Sequence, residues 1–180
     1  IMYEAYAPGS VAMLIECLTD NRNRAVSDVR VAVTRNGATM ADGGSVQRLF
    51  ERKGVVTVSK TFEVTEGRKT TTHEVDEDQL MEATLEAEPE DIVDLGEAFE
   101  IICDPNAIVD VRKAIQAADI DYDSAEVEFR AGFAQPVELE DARKIAKITE
   151  LLEDLDDVPN AHTNADITPE LAAALEEDED

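Results

Sequence analysis

Residues 11–18, Val-Ala-Met-Leu-Ile-Glu-Cys-Leu, are apolar at seven of eight positions. Successive strand side chains point to opposite faces, so a run of this kind must be covered on both sides and belongs in the middle of a sheet. Thr19, Asp20, Asn21 and Asn23 then end the pattern with short polar side chains, which suit turns and accept hydrogen bonds from the free N–H groups of a helix start. Val26, Val29 and Val33 recur at helical spacing, and Asn36-Gly37 offers a left-handed helix end. Arg22 and Arg24 thus emerge at a strand-to-helix junction, on the surface.

The segment ahead of this run, Tyr3 to Gly9, leads into that strand, which is the first of the chain. After the first helix comes a Gly-rich connection, Ala41-Asp-Gly-Gly-Ser45. Val46–Phe50 and Val55–Ser59 then read as a strand pair joined around Glu51 to Gly54. Residues 61–71 are polar and form a linker or an exposed hairpin. Beyond them the pattern begins again. Glu74-Val75 ends a strand, Asp76 caps a helix carrying Leu80, Met81, Thr84 and Leu85, and two short strands, Ile92-Val93 and Phe99–Cys103, flank Gly96. Asp104-Pro105 opens a helix with Ile108, Val111 and Ile115 on one face, and 125–131 alternates as a last strand with Val127 and Phe129 inward.

This βαββαβ order is the ferredoxin-like arrangement, two helices over one face of an antiparallel sheet. Residues 1–60 supply only part of such a set, and the remainder follows at the end: a helix over Leu139–Leu155 and a strand around Val158–Thr163. The expected fold class is α+β, with two ferredoxin-like α/β sandwich domains, one inserted into the other. The discontinuous domain takes 1–60 plus 135–168, the inserted one 72–133, and 169–180 is an acidic C-terminal tail with a short helix on Leu171 and Leu175.

The net charge of −26 would repel a polyanion if it were evenly spread. It is not: residues 1–60 hold eight Lys and Arg against six Asp and Glu, whereas the other 120 hold eight against 36. Aromatic residues make up 4%, with no Trp, so stacking platforms for single-stranded bases are hard to assemble. Cys17 and Cys103 lie in apolar strand patterns far from any His cluster, which implies buried free thiols in a reducing cytoplasm and neither a zinc site nor a disulfide. No apolar run reaches membrane-spanning length. The chain opens on Ile1 and reads as a piece of something longer.

Several strings carry a family resemblance: Tyr3-Glu-Ala-Tyr-Ala-Pro-Gly9, Glu16-Cys-Leu-Thr-Asp-Asn-Arg-Asn-Arg24, Gly44-Ser-Val46 with Leu49-Phe50 and Arg52-Lys-Gly54, Leu80-Met-Glu-Ala83, Leu155-Asp-Asp-Val158 and Asn164-Ala-Asp166. In these the chain resembles the second and third domains of the YebC/PmpR family, and the family's basic N-terminal three-helix domain is absent from the sequence. The resemblance implies a non-enzymatic transcriptional regulator that binds DNA. It also implies an alternative, a ribosome-associated translation factor acting at proline-rich stalls, since the mitochondrial relatives activate translation of cytochrome oxidase subunit I. A further alternative treats the two domains as a protein-interaction module and leaves nucleic acid to the missing domain.

The chemistry of the residues agrees with binding more than catalysis. His73 and His162 stand in a polar linker and a strand, no nucleophile elbow is present, and the carboxylates follow helix-surface spacing without a calcium-loop pattern. No cofactor, metal or catalytic residue is expected. The nucleic-acid-binding candidates are Asp20, Asn21, Arg22, Asn23 and Arg24 at the junction, Arg30 and Arg35 along the helix, and Arg48, Arg52 and Lys53 beyond it. A helix start attracts phosphate, and arginine adds two-pronged geometry. Spacing alone leaves an equal alternative, in which Asp20 and Asn21 cap the helix and the arginines pair with nearby acids. The expected partners are DNA or RNA, including ribosomal RNA and the ribosome, with no membrane and a monomeric state.

Overall fold

The computed structural model describes residues 1–177, and the last three acids of the expected tail lie outside that range. The chain divides into two compact units, one of residues 1–51 and 130–180 and one of residues 52–129.

In the first unit the apolar run forms β2 (Val11–Glu16), which pairs antiparallel with β1 (Met2–Ala7). The short β3 (Thr39–Met40) adds to β1, and a C-terminal strand over Asn160–Thr163 adds to β2, making a four-stranded sheet. The order thus begins with a hairpin ahead of α1 (Arg22–Thr34). The sheet's Ala5, Ala7, Val11, Met13 and Ile15, with Cys17 just past β2, belong to a core shared with Val29 and Val33 of α1 and with Ile145, Ile148 and Leu152 of the long C-terminal helix. Both faces of β2 are buried, as its composition requires.

The Gly-rich connection differs from the strand expected at 46–50. Glu4, 4% exposed, receives the N–H groups of Gly44, Val46 and Gln47 at 2.6, 2.6 and 2.7 Å. Those donors are therefore unavailable to a ladder. Residues 47–49 form a 3-10 turn, and a single ten-residue strand, β4 (Phe50–Ser59), follows. Gly54 is no turn residue. An added Cβ there would lie 2.8 Å from Cys103 Sγ and 3.2 Å from Ile108 Cβ, so the position is held by close packing.

The expected assignment of 55–59 to the first unit is also corrected. Beyond the exposed ribbon of β5 (Thr61–Glu66) and β6 (Lys69–Glu74) come α2 (Glu77–Thr84), β7 (Asp91–Asp94), β8 (Ala98–Cys103), α3 (Ile108–Ala117) and β9 (Ser124–Ala131). The second sheet runs β7-β8-β4-β9, with β4 antiparallel to β8 from Gly54↔Cys103 to Ser59↔Ala98. β4, and not the 74–75 segment, is thus the first strand of βαββαβ, with the β5–β6 ribbon set between it and α2. Val56 and Val58 explain this, since both are fully buried against Leu80, Phe99, Ile101, Val111 and Ile115. Asp76 and Gln79 form the reciprocal cap of α2, and Asp104 accepts the Asn106 N–H at the turn leading into α3. β9 is an edge strand, and Val127, expected inward, is 41% exposed.

The chain returns to the first unit through β10 (Gln135–Pro136), α4 (Leu139–Glu153), β11 (Asn160–Thr163), β12 (Ala165–Asp166) and α5 (Pro169–Glu177). β10 and β12 pair in parallel. The buried Asn164 ties this end to β2, its Oδ1 accepting the Ala12 N–H at 2.8 Å. Both units are helix-on-sheet sandwiches of one mixed α+β chain.

Candidate nucleic-acid interface

At the junction, Asn21 caps α1 by accepting the Arg24 N–H at 3.1 Å, and Thr19 Oγ1 accepts the Asn21 N–H at 3.0 Å. Arg24 bends back over this cap. Its Nε and Nη2 donate to Asp157 Oδ2 and Oδ1 at 3.1 and 2.9 Å, and Nη2 reaches Asp20 at 3.3 Å. Of the two alternatives left by spacing, the paired one describes Arg24. Its hydrogen bonds hold Asp157 below the usual carboxylate range, and the same contacts raise the guanidinium.

Arg22 differs. It is exposed, as are Asn23, Arg30 and Arg35, and Arg22, Arg30 and Arg35 have no ion-pair partner among the described residues. Asp20 is open to solvent, its side chain 92% exposed. Arg48 lies on the exposed 3-10 turn. Arg52 and Lys53 fall in the second unit, where Lys53 Nζ pairs with Glu90 at 2.8 Å. The ten expected residues are thus divided, with Asp20 to Arg35 and Arg48 in one unit and the last two in the other.

One group escaped the sequence reading. The C-terminal end of α1 faces α4 across an open cleft of about 470 Å³ lined by Arg35, Asn36, Gly37, Arg143, Lys144 and Lys147. The signal was available in the spacing of Arg143, Lys144 and Lys147 along one helical stretch, but their closeness to Arg35 depends on the packing of α1 against α4.

The Gly-rich connection after α1 and the turn that follows it cradle an anion. That anion is the chain's own Glu4, which burial pushes upward but which the N–H groups of Gln47, Gly44 and Val46 hold below the usual range. His162 Nε2 sits 2.8 Å from Glu16 Oε2, and His73 stacks on Phe62 with ring centroids 5.3 Å apart. No group of three or more His, Cys, Asp and Glu able to hold a metal exists among the described residues. No helix among them is long and apolar enough to cross a membrane.

The family model described as TACO1/YebC second and third domain matches residues 1–165. The chain belongs to the TACO1/YebC family. It is 76% identical to a probable transcriptional regulatory protein of Cutibacterium acnes over 99% of its own length and 68% of that relative's. With a probable transcriptional regulatory protein of Mycobacterium tuberculosis it shares 53% over 99% of the chain and 66% of the relative. The chain therefore spans about two thirds of the length of these TACO1/YebC relatives. Among solved structures it resembles a conserved hypothetical protein of Aquifex aeolicus, with a TM-score of 0.77 and 31% identity over 92% of this chain and 64% of that one. The resemblance read from the Glu16–Arg24 string and its companions is borne out, as is the regulator reading at the level of the relatives' names.

Proposed function

We propose that this chain is a non-enzymatic, cytoplasmic part of a nucleic-acid-associated regulator of gene expression, and that α1 makes its contact with the polyanion. The observation that carries this is the state of the α1 arginines. In a chain of net charge −26, Arg22, Arg30 and Arg35 stand exposed without a carboxylate partner among the described residues, while Arg24, Lys53 and Lys60 are each paired. Guanidinium groups left unneutralised amid so many acids remain available to phosphate. Few aromatics and no base-reading motif favour contact with the backbone over reading of sequence. The names of the relatives support transcription as the process and hence DNA as the first partner.

Fluorescence anisotropy of the chain with a labelled duplex DNA and with a ribosomal RNA fragment, at several salt concentrations, tests this. Arg22→Ala with Arg30→Ala should reduce the salt slope on duplex DNA by about 1.8, two backbone contacts at roughly 0.9 each. Preference for the ribosomal fragment would move the function to translation. Absence of binding to both at low salt would assign nucleic-acid contact to the part of the relatives that this chain does not span.

A further inference from the structure

The cleft between α1 and α4 is the least expected feature of so acidic a protein. Four cations and one amide side chain line it, and no carboxylate does. One plain role for a cation at this place is to neutralise the carbonyl end of α1, which carries about half a negative elementary charge. Four cations exceed that requirement several times over. The two lysines are compensated weakly: Lys144 lies 3.6 Å from Glu140 and Lys147 3.7 Å from Glu150, both pairs on the exposed surface of one helix. Such pairs are readily exchanged for a stronger anion.

The geometry of the cleft is built by the fold. Gly37, at φ +87°, turns the chain after α1, and the Ala38 N–H returns to Val33 O at 3.2 Å. Asn36 Nδ2 donates to Ala32 O at 2.8 Å, which holds its side chain against the helix end. This turn sets Arg35 opposite the Arg143–Lys147 stretch of α4, whose other side is anchored in the core by Ala142, Ile145 and Ile148. A volume of about 470 Å³ is within the usual range of ligand sites. No aliphatic or aromatic residue lines the cleft, and a single small anion would leave most of the charge unused.

We infer that the α1–α4 cleft is a phosphate-backbone site that takes closely spaced phosphates of a nucleic-acid strand without reading its bases. The inference rests on the proposed function for the identity of the strand, and adds a second contact distinct from Arg22 and Arg30. Arg35 provides the planar fork and Lys144 and Lys147 the point charges of such a clamp.

The test measures binding of the 180-residue chain to a labelled twelve-nucleotide homopolymer RNA and, in a separate arm, to inorganic tripolyphosphate. Lys144→Gln with Lys147→Gln is the variant, since these side chains are 49% and 58% exposed and their replacement leaves the core of α4 untouched. A circular dichroism melt confirms folding. Affinity for the RNA should fall at least about tenfold, and the salt slope should decrease by about 1.4, two single-strand contacts at roughly 0.7 each. Tripolyphosphate should compete with the RNA for the wild-type chain. RNA binding unchanged in this variant but lost in Arg22→Ala with Arg30→Ala would overturn the cleft and leave the proposed function standing. Tripolyphosphate binding that the variant abolishes, without RNA binding by the wild-type chain, would retain the phosphate site and overturn its nucleic-acid strand. No binding of either probe would overturn the site altogether.

Discussion

Arg24 and Asp157, 133 residues apart, are joined by a two-pronged ion pair that locks the start of α1 to the segment after α4. Asp157→Asn should lower the melting temperature, and the deficit against wild type should shrink in high salt, because the pair is electrostatic. Asp157 is held below the ordinary carboxylate value by Arg24, so its contribution is full above that value and disappears as pH falls through the lowered one. The same variant frees Arg24, so affinity for duplex DNA should rise while stability falls. A fall in both would show that Arg24 is structural alone.

Glu4 is a second stabilising anion, with three backbone donors and 4% exposure. Glu4→Gln removes the charge and one acceptor and should cost on the order of 2 kcal/mol in urea unfolding. The folded-state value is lowered, so wild-type stability from this group is constant at neutral pH and decreases on acidification through the carboxylate range. The variant should show a flatter acid limb.

Gly54→Ala probes the close packing of β4 against Cys103 and the turn that follows β8. The added methyl meets Cys103 Sγ at 2.8 Å and the Asp104 carbonyl at 3.3 Å. A loss of about 1–3 kcal/mol is expected from overpacking. Cys103→Ala in the same chain should recover part of it, a coupling that unfolding of the double variant measures.

Burial pushes both thiols up, with Asp104 and Glu90 adding to the effect at Cys103. Iodoacetamide should therefore label Cys17 and Cys103 at least about a hundredfold more slowly in the native chain than in urea, since reaction requires local opening. Mass spectrometry of timed samples checks it.

Much of the fold was legible because local chemistry carried it. The caps at Asn21, Asp76 and Asp104, the helical stripes of α3 and α4, and the double-sided burial of β2 all follow from side chains within a few residues of one another. The misread segments share a different cause. Residues 46–50 look like a strand until Glu4, some forty positions away, claims their N–H groups, and Gly54 looks like a turn until β8 is packed against it. The site was split in the same way. The junction was visible as a string, whereas the lysines of α4 acquired meaning only beside Arg35.

The sequence by itself determined the helices, the double-sided strand β2, the α+β class, the family and the uneven distribution of charge, because periodicity, capping residues and composition are local or additive properties. Tertiary structure decided which sheet β4 joins, which arginine is neutralised and which remain exposed, and where cations from two helices meet. Those outcomes depend on pairings over long separations, in which burial of Val56 and Val58 or the capture of Asp157 by Arg24 outweighs any local preference.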